Sequence, residues 1–109
     1  MLERFPIPSL ARSCWRPAAD VYRTADGWLI KIELAGVRLE DLSVEVQERR
    51  VKIAGQRRDV VLEIGGRCQS LEIAYDRFER WFDFPCDLPR QEPQVRFENG
   101  MLLVLISAC

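Results

Sequence analysis

The chain has 109 residues, 48% of them hydrophobic and 30% charged, which fits one soluble domain with a single core. Lysine plus arginine (16) nearly balances aspartate plus glutamate (17), so no bulk field draws it to nucleic acid or to an anionic membrane. No run approaches the roughly 18 apolar residues of a membrane span. The opening Met1-Leu2-Glu3-Arg4-Phe5-Pro6 lacks the basic and apolar parts of a secretion signal, so the expected setting is cytoplasmic.

Residues 1–16 scatter Phe5, Ile7, Leu10 and Trp15 among Pro6 and Pro8 without helical or strand period, and read as a flexible arm. Ala19-Asp20-Val21-Tyr22 is a short strand, closed by the turn signal Asp26-Gly27. Trp28, Ile30, Ile32 and Leu34 then alternate with Leu29, Lys31 and Glu33, the pattern of a core strand. Residues 35–41 are a loop with room for one helical turn. Leu42, Val44 and Val46 alternate with polar residues, and after the charged corner Glu48-Arg49-Arg50 the alternation resumes at Val51 and Ile53, making a hairpin.

In residues 57–77 both Val60-Val61-Leu62-Glu63-Ile64 and Leu71-Glu72-Ile73-Ala74-Tyr75 read as strands, separated by Gly65-Gly66, in an excursion away from the body of the domain. Phe78, Phe82 and Phe84 return to core phase before Pro85. Arg80 shares their face and needs a carboxylate or carbonyl partner, which across a dimer seam can belong to the other chain. Last comes the strongest local signal, Asn99-Gly100 between Val95-Arg96-Phe97-Glu98 and Met101-Leu102-Leu103-Val104-Leu105-Ile106. The first arm of this hairpin reads as half buried; the second is apolar on both faces and is expected to be covered on both. Eight or so short strands with no long helix point to an all-β sandwich.

Catalytic patterns are missing. There is no histidine, no phosphate-cradling G-x-x-x-x-G-K-[ST] and no Gly-x-Ser-x-Gly, and the pairs Glu40/Asp41 and Asp83/Asp87 fall in loops or on solvent faces. Neither enzyme activity, nor a cofactor, nor a metal site is expected. Cys14, Cys68, Cys86 and Cys109 show no C-x-x-C spacing and read as reduced thiols, with Cys109 exposed and able to cross-link two chains under oxidation.

Five stretches, in order, resemble the small heat-shock proteins and their α-crystallin domain. They are Pro17-Ala18-Ala19-Asp20-Val21-Tyr22; Ile32-Glu33-Leu34-Ala35-Gly36-Val37 with Glu40-Asp41-Leu42; Val51-Lys52-Ile53-Ala54-Gly55-Gln56-Arg57; Phe78-Glu79-Arg80-Trp81-Phe82-Asp83-Phe84-Pro85; and Asn99-Gly100-Met101-Leu102. The resemblance implies an immunoglobulin-like antiparallel β-sandwich of seven to nine strands with Greek-key type connections over residues 17–106. It also implies ATP-independent binding of unfolding client proteins, and a homodimer, with higher oligomers open, formed by exchange of the long loop. Leu71, Ile73 and Tyr75 of that loop would reach the partner's edge at Asp20, Val21 and Tyr22, with Arg80 at the seam.

The loop departs from the family's usual charge at residues 60–64, and the chain stops at Ser107-Ala108-Cys109, short of the Ile-x-Ile or Ile-x-Val tail. Large tail-linked assemblies are therefore not expected. Open sandwich edges suit the addition of an extended client strand, and the candidate groove lies between Leu42, Val44 and Val46 on one side and Val95 and Phe97 on the other. Phe5 and Ile7, two apart and held extended by the prolines that follow them, are candidates to fill that groove. The alternative is a co-chaperone or adaptor sandwich of the p23/CS kind, which generally lacks so long an excursion.

Overall fold

Asn99 and Gly100 adopt φ of 51° and 78°, the left-handed pair that a type I′ turn requires, and join strand β6 (Gln94–Glu98) to strand β7 (Met101–Ser107). The turn is pinned to the body by Leu34 N, which donates to the Gly100 carbonyl at 2.7 Å. A Cβ added at Gly100 would lie 3.1 Å from Ala35 Cβ in a left-handed backbone. Gly100→Val is therefore expected to cost about 1–2 kcal/mol, read as a lower urea midpoint at unchanged slope.

The protein, seen here in a computed structural model that describes residues 15–109, adds five further strands to this hairpin. They are β1 (Ala19–Arg23), β2 (Gly27–Glu33), β3 (Leu42–Gln47), β4 (Arg50–Gln56) and β5 (Arg77–Asp83). A four-stranded antiparallel sheet in the order β1-β2-β7-β6 stacks on a three-stranded sheet in the order β3-β4-β5. The chain crosses between the layers after β2 and again after β5, which is the Greek-key character of the sandwich.

Period-two alternation builds the core between the layers. In the four-stranded sheet Ile30 pairs with Val104 and Ile32 with Leu102, and all four side chains are fully buried. Val51, Ile53, Phe78 and Phe82 face them from the other sheet, while Val37, Phe84 and Leu88 close the core from the connections. Residues 35–41 contain a single 3-10 turn, Leu39–Asp41, as the sequence allows.

Several expectations differ from the structure. Among the described residues the Met101–Ser107 strand is covered on one face only: Leu102, Val104 and Ile106 are buried, but Leu105 is exposed, because no described element packs on the outer face of the four-stranded sheet. Its partner arm also stands further out than expected, with Val95 40% exposed at the edge of the sheet.

Residues 60–64 are not a strand. A short helix, α1 (Val60–Glu63), forms there because Asp59 Oδ1 accepts from the amides of Val61 (3.0 Å) and Leu62 (3.4 Å) and Gly65 ends the turn at φ 97°. Residues 71–75, expected to pair with the edge of a partner chain, lie in no ladder of the single chain. The described residues hold seven strands, within the expected seven to nine.

Finally, Cys86 and Cys109 are joined in a disulfide with their Cα atoms 6.2 Å apart, and Cys68 is the exposed free thiol among the described residues. Register brings the end of β7 beside the segment after β5, a proximity that the 23-residue separation in sequence did not reveal. Cys14 lies outside the described residues.

Candidate functional site

Two free strand edges meet where β3 of one sheet approaches β6 of the other. Leu42 and Val44 project from β3 because they alternate with Ser43 and Glu45, and Val95 projects from β6. Together with Leu39, Pro93, Leu102 and a rim carboxylate, Glu92, they line an open cleft of about 230 Å³. Among the described residues neither strand has a hydrogen-bonded neighbour on this side, so strand edges border an apolar floor.

Of the five expected groove residues, Leu42, Val44 and Val95 are brought together here. Val46 lines an adjoining cleft with Trp28 and Ile106, and half-buried Phe97, which packs against the core as Leu42 and Val44 do, lines neither cleft. Leu39 and Pro93 escaped the sequence reading because both lie in connections, outside any alternating strand. Phe5 and Ile7 lie outside the described residues.

At the opposite end of the four-stranded sheet β1 is another edge unpaired among the described residues, with Val21 46% and Tyr22 41% exposed. Lys31 reaches across from β2 to Asp20 at 3.7 Å and lies 5.2 Å from the Tyr22 ring centroid. Its ammonium pKa is raised, chiefly by the Tyr22 hydroxyl and secondarily by Asp20. The excursion carries its own apolar surface, with Ile64 78%, Leu71 59% and Ile73 56% exposed. Tyr75 is half buried. In the single chain no strand pairing joins residues 71–75 to β1.

The base of the excursion is fixed by two arginines that the sequence reading passed over. Arg57 Nε donates to the Ala74 carbonyl at 2.8 Å and Nη1 to the Ala35 carbonyl at 3.0 Å, while its guanidinium carbon stacks 3.8 Å from the Trp15 ring centroid. Arg58 grips Asp41 with two bonds, at 3.0 and 3.2 Å, and these hold the Asp41 carboxyl below its ordinary value against a smaller opposing effect of burial.

Arg80 lies on the inner face of β5, in register with Ile53 and Val44, and its guanidinium carbon is 5.1 Å from the Phe82 ring centroid. Nη1 donates to the Pro17 carbonyl at 2.6 Å, so the partner within its own chain is a carbonyl. Nε is buried with no partner among the described residues. Burial, and the neighbouring Arg16 charge, lower the Arg80 pKa, although an arginine remains charged throughout the physiological range.

A seven-stranded, two-layer antiparallel sandwich of immunoglobulin-like kind, with free edges at both sides and an apolar cleft along one of them, is the class of protein these features define. The family model of the Hsp20/alpha crystallin family matches residues 20–108, and the chain belongs to that family.

Among curated proteins it is 26% identical to small heat shock protein C2 of Rickettsia felis, over 94% of this chain and 66% of that protein. It is 28% identical to the 22.7 kDa class IV heat shock protein of Pisum sativum, over 97% of this chain and 56% of that one. The chain thus spans 56–66% of the length of these two relatives. Among solved structures, heat shock protein 16.0 from Schizosaccharomyces pombe superimposes with a TM-score of 0.77 at 24% identity, covering 85% of this chain and 86% of that one. This last likeness concerns the fold.

Proposed function

We propose that the chain acts as an ATP-independent holdase that receives extended apolar segments of unfolding cytosolic proteins. The observation that carries this reading is the apolar cleft bordered by the unpaired edges of β3 and β6. An extended client segment added there gains main-chain hydrogen bonds from an edge, while alternate apolar side chains enter the floor between Leu42, Val44 and Val95. Membership of the Hsp20/alpha crystallin family supports a chaperone role. Binding of this kind requires no catalytic group, and no enzymatic step is part of the proposal.

The same reading includes a homodimer. Residues 71–75 of one chain add to the free β1 edge of the other, bringing Leu71 and Ile73 against Val21 and Tyr22, and the contact is made twice by symmetry. The exposure of those four side chains in the single chain supports this arrangement.

Val95→Lys tests the groove. Val95 is already exposed at the cleft, so the domain stays folded, while a client loses its apolar seat and meets a charge. Losing the burial of one such side chain weakens client binding about tenfold, read as a matching increase in the amount of protein needed to suppress aggregation. Undiminished suppression by a folded Val95→Lys protein would move the client site elsewhere.

A further inference from the structure

The β3–β6 groove does not end at Val44. Leu42, Val44 and Val46 follow one another at every second position of β3, and Val46 lines the adjoining cleft of about 690 Å³. Glu92 and Pro93 line both clefts, so the two meet at that corner. The run from Leu42 to Val46 is about 13 Å long, the span of some five extended residues.

The two clefts differ in chemistry. The first has an apolar floor and one charged lining residue, Glu92. In the second, Trp28, Val46 and Ile106 stand among hydroxyl and amide groups, and the charged lining residues are Asp26 and Glu92. No lysine or arginine lines either cleft. Among the described residues neither carboxylate has an ion-pair partner.

The cations closest in the fold are turned to other tasks. Arg23 donates to the carbonyls of Gly27, Ala108 and Cys109, with its guanidinium carbon 4.8 Å from the Trp28 ring centroid. Arg96 pairs with Glu98, and exposed Arg90 lines neither cleft. The formal charge of the whole chain is only −1, so the acidity of this groove is a local property.

We propose, building on the client groove described above, that the joined clefts select extended segments in which apolar residues two apart are flanked by lysine or arginine. The apolar pair enters between Leu42, Val44 and Val95. The segment then passes Glu92 into the second cleft, where its basic side chains meet Glu92 and Asp26. A lysine or arginine suits this half of the groove on two counts, since its methylene stem packs on Val46 and Pro93 while its head reaches a carboxylate. An acidic flank instead brings like charge against two unpaired carboxylates. Exposed ion pairs are weak singly, about two- to fivefold in affinity, so two of them separate basic from acidic flanks by roughly tenfold at low salt. Salt screens the difference.

The test measures fluorescence anisotropy of three labelled peptides with the full chain. All share an Ile-Thr-Ile centre, and their flanks carry two lysines, two glutamates or two serines. The lysine peptide should bind roughly tenfold more tightly than the glutamate peptide, with the serine peptide between them, and high salt should bring the three together. Glu92→Gln combined with Asp26→Asn should remove the preference while leaving the serine peptide unaffected, and Glu92→Lys should favour the glutamate peptide. Glu45→Gln, on the opposite face of β3, should change nothing. Equal binding of the lysine and glutamate peptides, or a preference that survives the double substitution, would overturn the inference and leave the groove standing. Failure of all three peptides to bind would overturn the groove reading and this inference with it.

Discussion

Deleting residues 66–75 is expected to leave the protein monomeric. In the single chain Leu71 is 59% and Ile73 56% exposed, and on the free β1 edge Val21 and Tyr22 are 46% and 41% exposed. Apolar side chains so exposed on two separate elements are complementary when the excursion of one chain lies along the edge of another. Leu71 and Ile73 are each about half buried already, so roughly 1 kcal/mol per side chain remains to be gained. Counted in both chains, the deletion weakens the dimer by roughly 10³-fold before the lost strand pairing is added. The body of the domain should survive, because Arg57 N still meets the Asp76 carbonyl, at 3.1 Å in the intact chain, and Arg58 still holds Asp41. Sedimentation velocity at micromolar concentration should show the intact chain as a dimer and the deleted chain as a monomer. A deleted chain that still sediments as a dimer would rule out strand exchange.

Arg80→Ala should cost about 3 kcal/mol, or roughly 10–20 °C in Tm. Two losses combine. The Pro17 carbonyl, in a buried residue, loses a charge-assisted donor at 2.6 Å, and the space under the arginine stem beside Phe82 is left empty. Arg80→Met separates these effects. Methionine refills the space and removes a desolvated guanidinium, so the monomer should melt within about 1 kcal/mol of the native chain.

The buried Nε of Arg80, without a partner among the described residues, adds a second readout. If a carbonyl or carboxylate of the partner chain accepts from it, Arg80→Met weakens association in the full chain while leaving the melting of the 66–75 deletion variant nearly unchanged. Unaltered association of the full-length Arg80→Met protein would place Arg80 in the core alone.

The strands were legible wherever one face is buried and the other wet, since that contrast writes a period of two into the sequence. Ile30, Ile32, Val51 and Ile53 alternate with polar or half-buried neighbours and are fully buried. The Asn99-Gly100 turn was legible because few residues tolerate two successive positive φ angles. Arg80 was placed on the inner face by the same period, although its partner, the Pro17 carbonyl, lies 63 residues away and could not be read.

The failures share a cause. In residues 60–64 the β-branched run outweighed the cap at Asp59 and the stop at Gly65, and a four-residue helix follows the caps. Leu105 was expected to be covered because its strand is apolar on both faces, whereas the number of layers behind a sheet is set by the whole topology. The disulfide, the Arg57 contacts with Ala35, Ala74 and Trp15, and the place of Leu39 and Pro93 in the cleft depend on which connections meet in space. Local pattern does not carry that information. Phe97 was read from its phase, and its phase is right: like Leu42 and Val44 it is partly buried against the core.

The claim at the centre of this account is that the sandwich holds unfolding chains without turnover. The direct measurement is light scattering of a heat-labile model protein warmed with increasing amounts of the purified full chain in nucleotide-free buffer. The account predicts that scattering falls in proportion to the chaperone added, that addition of ATP changes nothing, and that the client is recovered bound to the protein. Client aggregation at the same rate and to the same extent at every ratio would contradict it.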